Sequence, residues 1–266
     1  MENTTTTQKN ISIFGKRLSE FFGIVAGLSL FSLEFFKNVF LPPYEFGEVK
    51  KHMDELGVKT LPIVSVTGFI IGLVLTMQSQ PVMQKFGAEA FLPGMVALSV
   101  VRELGPVITA LIFAGRVSSG IGAELGSMRV TEQIDAMEVS AINPFKFLVV
   151  TRVLACTLIL PMLTVYVIFL AIIGGYISIY LSQNINFILY IHAVVHSVDF
   201  YDFVPGVAKT FFFGYIVGIV GAYKGYNTEN GTVGVGQAST SSVVISSLLI
   251  LLVDMVLVKI TVSIWG

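Results

Sequence analysis

Residues 147–181 read FLVVTRVLACTLILPMLTVYVIFLAIIGGYISIYL, and Arg152 is the one charged side chain among them. As a helix at 1.5 Å per residue this segment would be about 52 Å long. That exceeds the roughly 30 Å of a bilayer's hydrocarbon core. The segment therefore predicts a transmembrane helix long enough to tilt or protrude, with Pro161 as its expected kink. Four further apolar stretches of spanning length flank it, at 61–80, 93–120, 204–223 and 243–265. They set the fold class as an all-α integral membrane protein with five spans.

The composition agrees. Of 266 residues, 54% are hydrophobic and only 12% charged, and the mean hydropathy is +0.83, outside the balance of a soluble domain. After five spans of about 20 residues little is left for a second domain, so 11–266 is read as one membrane domain behind a polar, Thr-rich tail at 1–10. A net charge of −1 and the absence of a basic run set nucleic acid aside. The single cysteine, Cys156, lies in an apolar run and predicts a small buried hydrophobe; it can form neither an intramolecular disulfide nor a cysteine metal site.

Upstream of the first span, Lys16 and Arg17 precede an uncharged stretch, Phe21 to Leu33, with the length of a signal-peptide core. No small-x-small cleavage site follows, and Glu34 and Lys37 continue the segment as an amphipath. Residues 11–40 thus predict an interfacial helix. Pro42 and Pro43 break it before a charged stretch with Glu45, Glu48, Lys50, Lys51, Asp54 and Glu55. Orientation follows from the loops. Arg116, Arg129, Lys146, Arg152 and Lys224 share one side with the basic N-terminal segment, whereas 181–203 carries Asp199 and Asp202 but no Lys or Arg. The basic side is read as cytosolic, which puts the N-terminus inside and the C-terminus outside; Lys259, near the outer end of the last span, can snorkel.

Three charges fall inside the spans. Arg102 and Glu103 are adjacent, about 13 Å from the outer end of 93–120, and Lys209 lies one to two turns into 204–223. Charges at such depth persist when they pair or line a cavity. A polar floor beneath a substrate cavity and a structural ion-pair network are both open readings.

The polar segment between the second and third spans carries Val130, Ile134, Met137 and Ala141 at helical spacing. Thr131 suits an N-cap, Glu132 and Asp135 suit the positive end of the helix dipole, and Asn143-Pro144 ends the pattern. A helix over 131–142, about 18 Å long, would suit a groove on a partner. Its acidic residues, Glu138 among them, argue against a bed of anionic lipid headgroups. Paired glycines at Gly68/Gly72, Gly122/Gly126 and Gly214/Gly218 permit close packing, within a chain or between copies. His192 and His196 stand four apart near Asp199 and Asp202, but no Glu lies between them and the metalloprotease pattern fails. Neither Gly15-Lys16 nor Lys209-Thr210 has the upstream glycine of a phosphate loop. No metal, cofactor or catalytic residue is expected, and ATP hydrolysis is not expected of this chain.

The run from Ala97 through Arg102-Glu103-Leu104-Gly105-Pro106, Ala114-Gly115-Arg116 and Ala123-Glu124-Leu125-Gly126-Ser127-Met128-Arg129 to Ala136-Met137 closely resembles the signature of MlaE-type ABC permeases. The likeness extends more loosely over nearly the whole chain. It implies a homodimer of five-span subunits in a bacterial inner membrane, with cytosolic ATPase subunits that use ATP and Mg, and an outer-facing MCE-domain protein that carries phospholipid. On this resemblance 131–142 is the coupling helix, with Arg129, Glu132, Asp135, Met137 and Glu138 as contacts. Arg102, Glu103 and Lys209 lie below a lipid cavity that Leu75, Gln78, Val82, Met83 and Phe86 would line. A basic family position near the start of the last span is not matched, because Ser239-Thr240-Ser241-Ser242 stand there. The expected activity is phospholipid transfer, with a sterol or other hydrophobic lipid as the alternative cargo and a passive channel as the alternative class.

Overall fold

The computed structural model describes residues 22–42, 44–229 and 231–265. The tail at 1–10 and the first half of the expected interfacial helix lie outside the described residues. The chain divides into two units, Met1–Tyr44 and Glu45–Gly266. In the first, α1 (Phe22–Val39) is an 18-residue helix. The second comprises α2 (Phe46–Lys85), α3 (Glu89–Val130), α4 (Gln133–Val139), α5 (Phe145–Gln183), α6 (Phe187–Ser197), α7 (Phe200–Tyr226) and α8 (Gly231–Trp265). Among the described residues six helices, α1 included, are long and apolar enough to cross a membrane.

Each helix of the second unit that holds an expected span outruns it. In α2 the charged turns from Phe46 continue without a break into the apolar stretch, and Pro62 and Pro81 lie inside the helix. Likewise α5 runs on through Pro161, which is buried.

Small residues let these helices approach closely. A Cβ on Gly72 would stand 1.8 Å from the Ala171 carbonyl oxygen of α5, and one on Gly174 would stand 2.2 Å from the Phe69 carbonyl of α2. Such distances leave no room for any side chain, so the α2–α5 contact is backbone against backbone. Gly214 and Gly218 of α7 seat in the same way against Cys156 and Val153 of α5. Cys156 is fully buried there. The paired glycines thus pack helices within one chain.

Toward the end of the bundle where α2 gives way to α3, Leu92, Val96, Val100, Ile168, Ile179, Tyr190 and Val194 form an apolar cluster. α6 enters it through Tyr190, whose hydroxyl donates to the Ile172 carbonyl at 2.9 Å. Asn186 starts α6 by accepting the Ile188 N–H at 2.9 Å, an Asx N-cap.

α3 is continuous but not uniform. Val100–Leu104 and Ala114–Ser118 are π turns, and at the first the Gly105 N–H reaches back five residues to the Val100 carbonyl. Pro106 follows immediately; it has no N–H to donate and its ring crowds the carbonyl four residues earlier. The wider turn relieves that conflict without breaking the helix.

Candidate functional site

The first π turn of α3 presents Arg102 and Glu103 toward α7 and α8. Lys209, two turns into α7, donates to Glu103 Oε2 at 2.6 Å and to Asp254 Oδ1 of α8 at 2.8 Å. Arg102 Nε donates to Asp202 Oδ1 at 2.7 Å, and its Nη2 contacts the same oxygen. The other Asp202 oxygen, Oδ2, accepts the Asp199 N–H at 3.1 Å and completes a capping box at the start of α7. One carboxylate therefore both begins α7 and orients the arginine of α3.

The burial is asymmetric. The side chains of Lys209 and Asp202 are 7% and 8% exposed, whereas Arg102 is 55% exposed. The inner partners are held, and the guanidinium faces a cavity of about 490 Å³ whose wall also includes Glu103, Tyr201, Val258 and Val262. Buried lysine in an apolar bundle requires paired carboxylates, and here it has two. An exposed guanidinium beside aliphatic side chains can take an anionic head while the aliphatic wall takes hydrocarbon.

Of the three charges expected to meet, Lys209 contacts Glu103 directly, whereas Arg102 sits in a separate pair with Asp202. Asp202 and Asp254 were missed as partners. Both left a signal: Asp202 precedes Lys209 by seven residues, two helical turns on the same face, and Asp254 is a lone acid within an apolar span.

Of the residues expected to line a lipid cavity, Leu75 and Met83 pack half-buried against the apolar cluster, while Gln78, Val82 and Phe86 are exposed. None of the five lines the charged cavity of a single chain.

In the loop after α3 the helix is shorter than 131–142. Thr131 ends α3 instead of starting the next helix, Glu132 adopts a left-handed φ of 58°, and α4 covers Gln133–Val139 with Ala141 at φ 59° beyond it. Left-handed backbone at non-glycine residues stops a helix on either side, so the spacing over-counted its length. Arg129 Nη1 donates to Asp135 Oδ1 at 2.6 Å and ties α4 to α3. Ile134 is fully buried, Met137 half-buried and Val139 90% exposed, and the carboxylates of Glu132, Asp135 and Glu138 face outward.

Of Ser239–Ser242, Ser242 is buried and Ser239 half-buried, while Thr240 is exposed. Ser119 and Ser239 hydroxyls meet at 2.8 Å, Ser242 Oγ donates to the Ser118 carbonyl at 3.0 Å, and Ser118 and Ser246 hydroxyls meet at 2.9 Å. These bonds fasten α8 to the second π turn of α3. The rings of His192 and His196 lie 5.8 Å apart on α6.

A bundle of apolar helices with a paired-charge cavity near one end and a short polar-faced helix in the loop after α3 defines a multi-pass membrane protein. Residues 49–260 match the family described as Permease MlaE. The chain is 37% identical over 238 residues to a probable ABC transporter permease protein of Rickettsia felis, covering 90% of this chain and 92% of the relative. It is 35% identical to the intermembrane phospholipid transport system permease protein MlaE of Haemophilus influenzae over 94% of this chain and 96% of the relative. A chloroplast protein of Arabidopsis thaliana, trigalactosyldiacylglycerol 1, is 31% identical over 78% of this chain and 59% of its own length. The chain belongs to the MlaE permease family of ABC transporters.

Proposed function

We propose that this chain is the membrane subunit of an ABC system that moves phospholipid between a bacterial inner membrane and an MCE-domain carrier. It works as a homodimer and is driven by separate ATPase subunits that bind ATP and Mg. The observation that carries the reading is Arg102, held on one edge by Asp202 and open on the other to the 490 Å³ cavity. A phosphate head with two acyl chains suits that combination, since each buried CH₂ contributes about 0.8 kcal/mol and the guanidinium supplies a charge-assisted contact. A sterol would leave the guanidinium without an anion, and small polar solutes would leave the apolar wall unused. The name of the Haemophilus relative supports phospholipid as cargo.

On this reading α4 is the coupling helix. Its buried Ile134 fixes it to the bundle, and its exposed acids and Val139 meet the ATPase, whose closure on ATP moves α3 through the Arg129–Asp135 pair. The basic-loop end is cytosolic, α1 lies in the interface, and the exposed Val82 and Phe86 complete a lipid cavity between two copies. The chain itself performs no hydrolysis.

The test is lipid transfer from proteoliposomes of the assembled complex to MCE-domain acceptor. Arg102→Gln should cut transfer of phospholipid at least tenfold with basal ATP hydrolysis retained. Unchanged transfer would refute the role given to the cavity.

A further inference from the structure

A second pocket lies at the opposite end of α3. It holds about 210 Å³ between α2, α3 and α5, and its wall includes His52, Glu55, Lys59, Arg116, Glu124 and Arg152. Its cations are unequally satisfied. Lys59 pairs with Glu55, and the buried Arg152 donates to Glu124 Oε1 at 2.6 Å and to the Leu148 carbonyl at 2.9 Å. Arg116 has only the neutral Thr60 hydroxyl, at 3.1 Å, and among the described residues it makes no ion pair. Three permanent cations thus face two carboxylates. His52, in the charged turns ahead of the expected first span, is held below its ordinary value by burial and then by Arg152, and of the three cations Arg116 is the one with no carboxylate partner among the described residues.

The surroundings of Arg116 leave room for a partner. Gly115 and Gly120 flank it, and a Cβ on either would meet no atom within 4 Å. Arg116 is itself exposed. Along α3 it lies 14 residues from Arg102, about 21 Å; with Arg102 about 13 Å from the outer end of the span, Arg116 stands roughly 34 Å from that end, beyond the roughly 30 Å of a bilayer's hydrocarbon core. Thr60 stands at the start of the expected first span and Arg116 near the end of the second, so the guanidinium lies at the boundary between hydrocarbon and headgroups on the basic-loop side. A guanidinium without a carboxylate and with open space at that boundary is placed to take an anion, and the fork of an arginine matches phosphate oxygens.

We propose that the Arg116 pocket is a second anion site, which binds a phosphate ester at the membrane face remote from the Arg102 cavity, with Arg116 as the principal ligand and Lys59 at the mouth. The phosphate can come from the headgroup of a phospholipid in the adjacent leaflet or from a free phosphate.

Native mass spectrometry of the full chain in maltoside micelles, titrated with phosphatidylglycerol, tests this. Arg116→Gln and, separately, Lys59→Gln should each weaken one bound lipid per chain at least fivefold, while Arg116→Lys, which keeps the charge and loses the fork, should weaken it less than Arg116→Gln. Lys59 is exposed, so its variant keeps the test valid if Arg116→Gln folds poorly. Inorganic phosphate that displaces this lipid identifies free phosphate as a sufficient ligand; phosphate without effect assigns the site to a lipid headgroup. Wild-type lipid retention in both Gln variants would overturn the proposal. An Arg102→Gln arm reports on the first cavity alone, so failure of one reading is distinguishable from failure of the other.

Discussion

Asp202 holds Arg102 with one carboxylate oxygen while the other closes the capping box of α7. Start of helix and aim of guanidinium are thereby one event. Asp202→Asn keeps an acceptor for the Asp199 N–H but removes the charge that fixes Arg102. We expect α7 to fold, with transfer of lipid falling roughly tenfold, about 1.4 kcal/mol, and circular dichroism unchanged. A loss of helix content would mean that Asp202 serves the cap alone.

Lys209 is shared by Glu103 and Asp254. Removing one carboxylate leaves the other, so Glu103→Ala and Asp254→Ala should each cost about 1–3 kcal/mol; Glu103, being 43% exposed, should sit at the low end. The double variant strands a buried ammonium and should cost more than the sum, by about 1 kcal/mol or more. Denaturant unfolding in mixed micelles measures this, and strict additivity would show that the three do not act as a unit.

Gly72 and Gly115 make a matched pair for backbone packing. Gly72→Ala drives a methyl into the Ala171 carbonyl and should destabilise by about 1–3 kcal/mol through overpacking. Gly115→Ala meets nothing and should be neutral or stabilising, since alanine favours the helix by up to about 1 kcal/mol. Equal melting temperatures for the two variants would contradict the α2–α5 contact.

For α4, Glu132→Lys combined with Met137→Asp reverses one exposed charge and makes a half-buried apolar contact polar. Copurification with the ATPase should be lost while the chain still inserts in the membrane. Val139→Asp alone should weaken it, because Val139 is 90% exposed and buries nothing within its own chain. Intact assembly in both would exclude α4 as the coupling contact.

Arg152 is the most buried arginine described, bridging Glu124 and the Leu148 carbonyl. Arg152→Ala leaves a buried carbonyl acceptor and a cavity, and should cost about 2–4 kcal/mol. Glu124→Gln keeps an acceptor near the guanidinium; with Glu124 55% exposed, the loss should stay below about 1 kcal/mol. Thermal melts of the two variants check the ratio.

The long apolar helices and the placement of Arg102, Glu103 and Lys209 within them were legible because apolar length and isolated charge are local properties of a sequence. Helix ends were less so. The charged turns from Phe46 join α2 because the helix carries its polar face past the apolar stretch, which hydropathy does not register. The extent of α4 was misjudged because the left-handed residues Glu132 and Ala141 are neither glycine nor asparagine. Asp254 escaped notice since its role exists only once α8 lies beside α7. The lipid-facing positions of α2 cannot be ranked by spacing, because Leu75 and Met83 meet the apolar cluster of their own chain.

The two π turns of α3 give that helix an uneven tolerance to changes in length. A π turn is an α-helix holding one surplus residue, so deleting a residue within 100–104 or 114–118 can be absorbed as ordinary α geometry while the flanking segments keep their phase. A deletion within 105–113 has no such slack and would swing everything beyond it by about 100°, carrying Arg116 off the Thr60 face and the Ser118 hydroxyl away from Ser246. Insertions and deletions along this span should therefore be accepted at the charged turns and rejected between them.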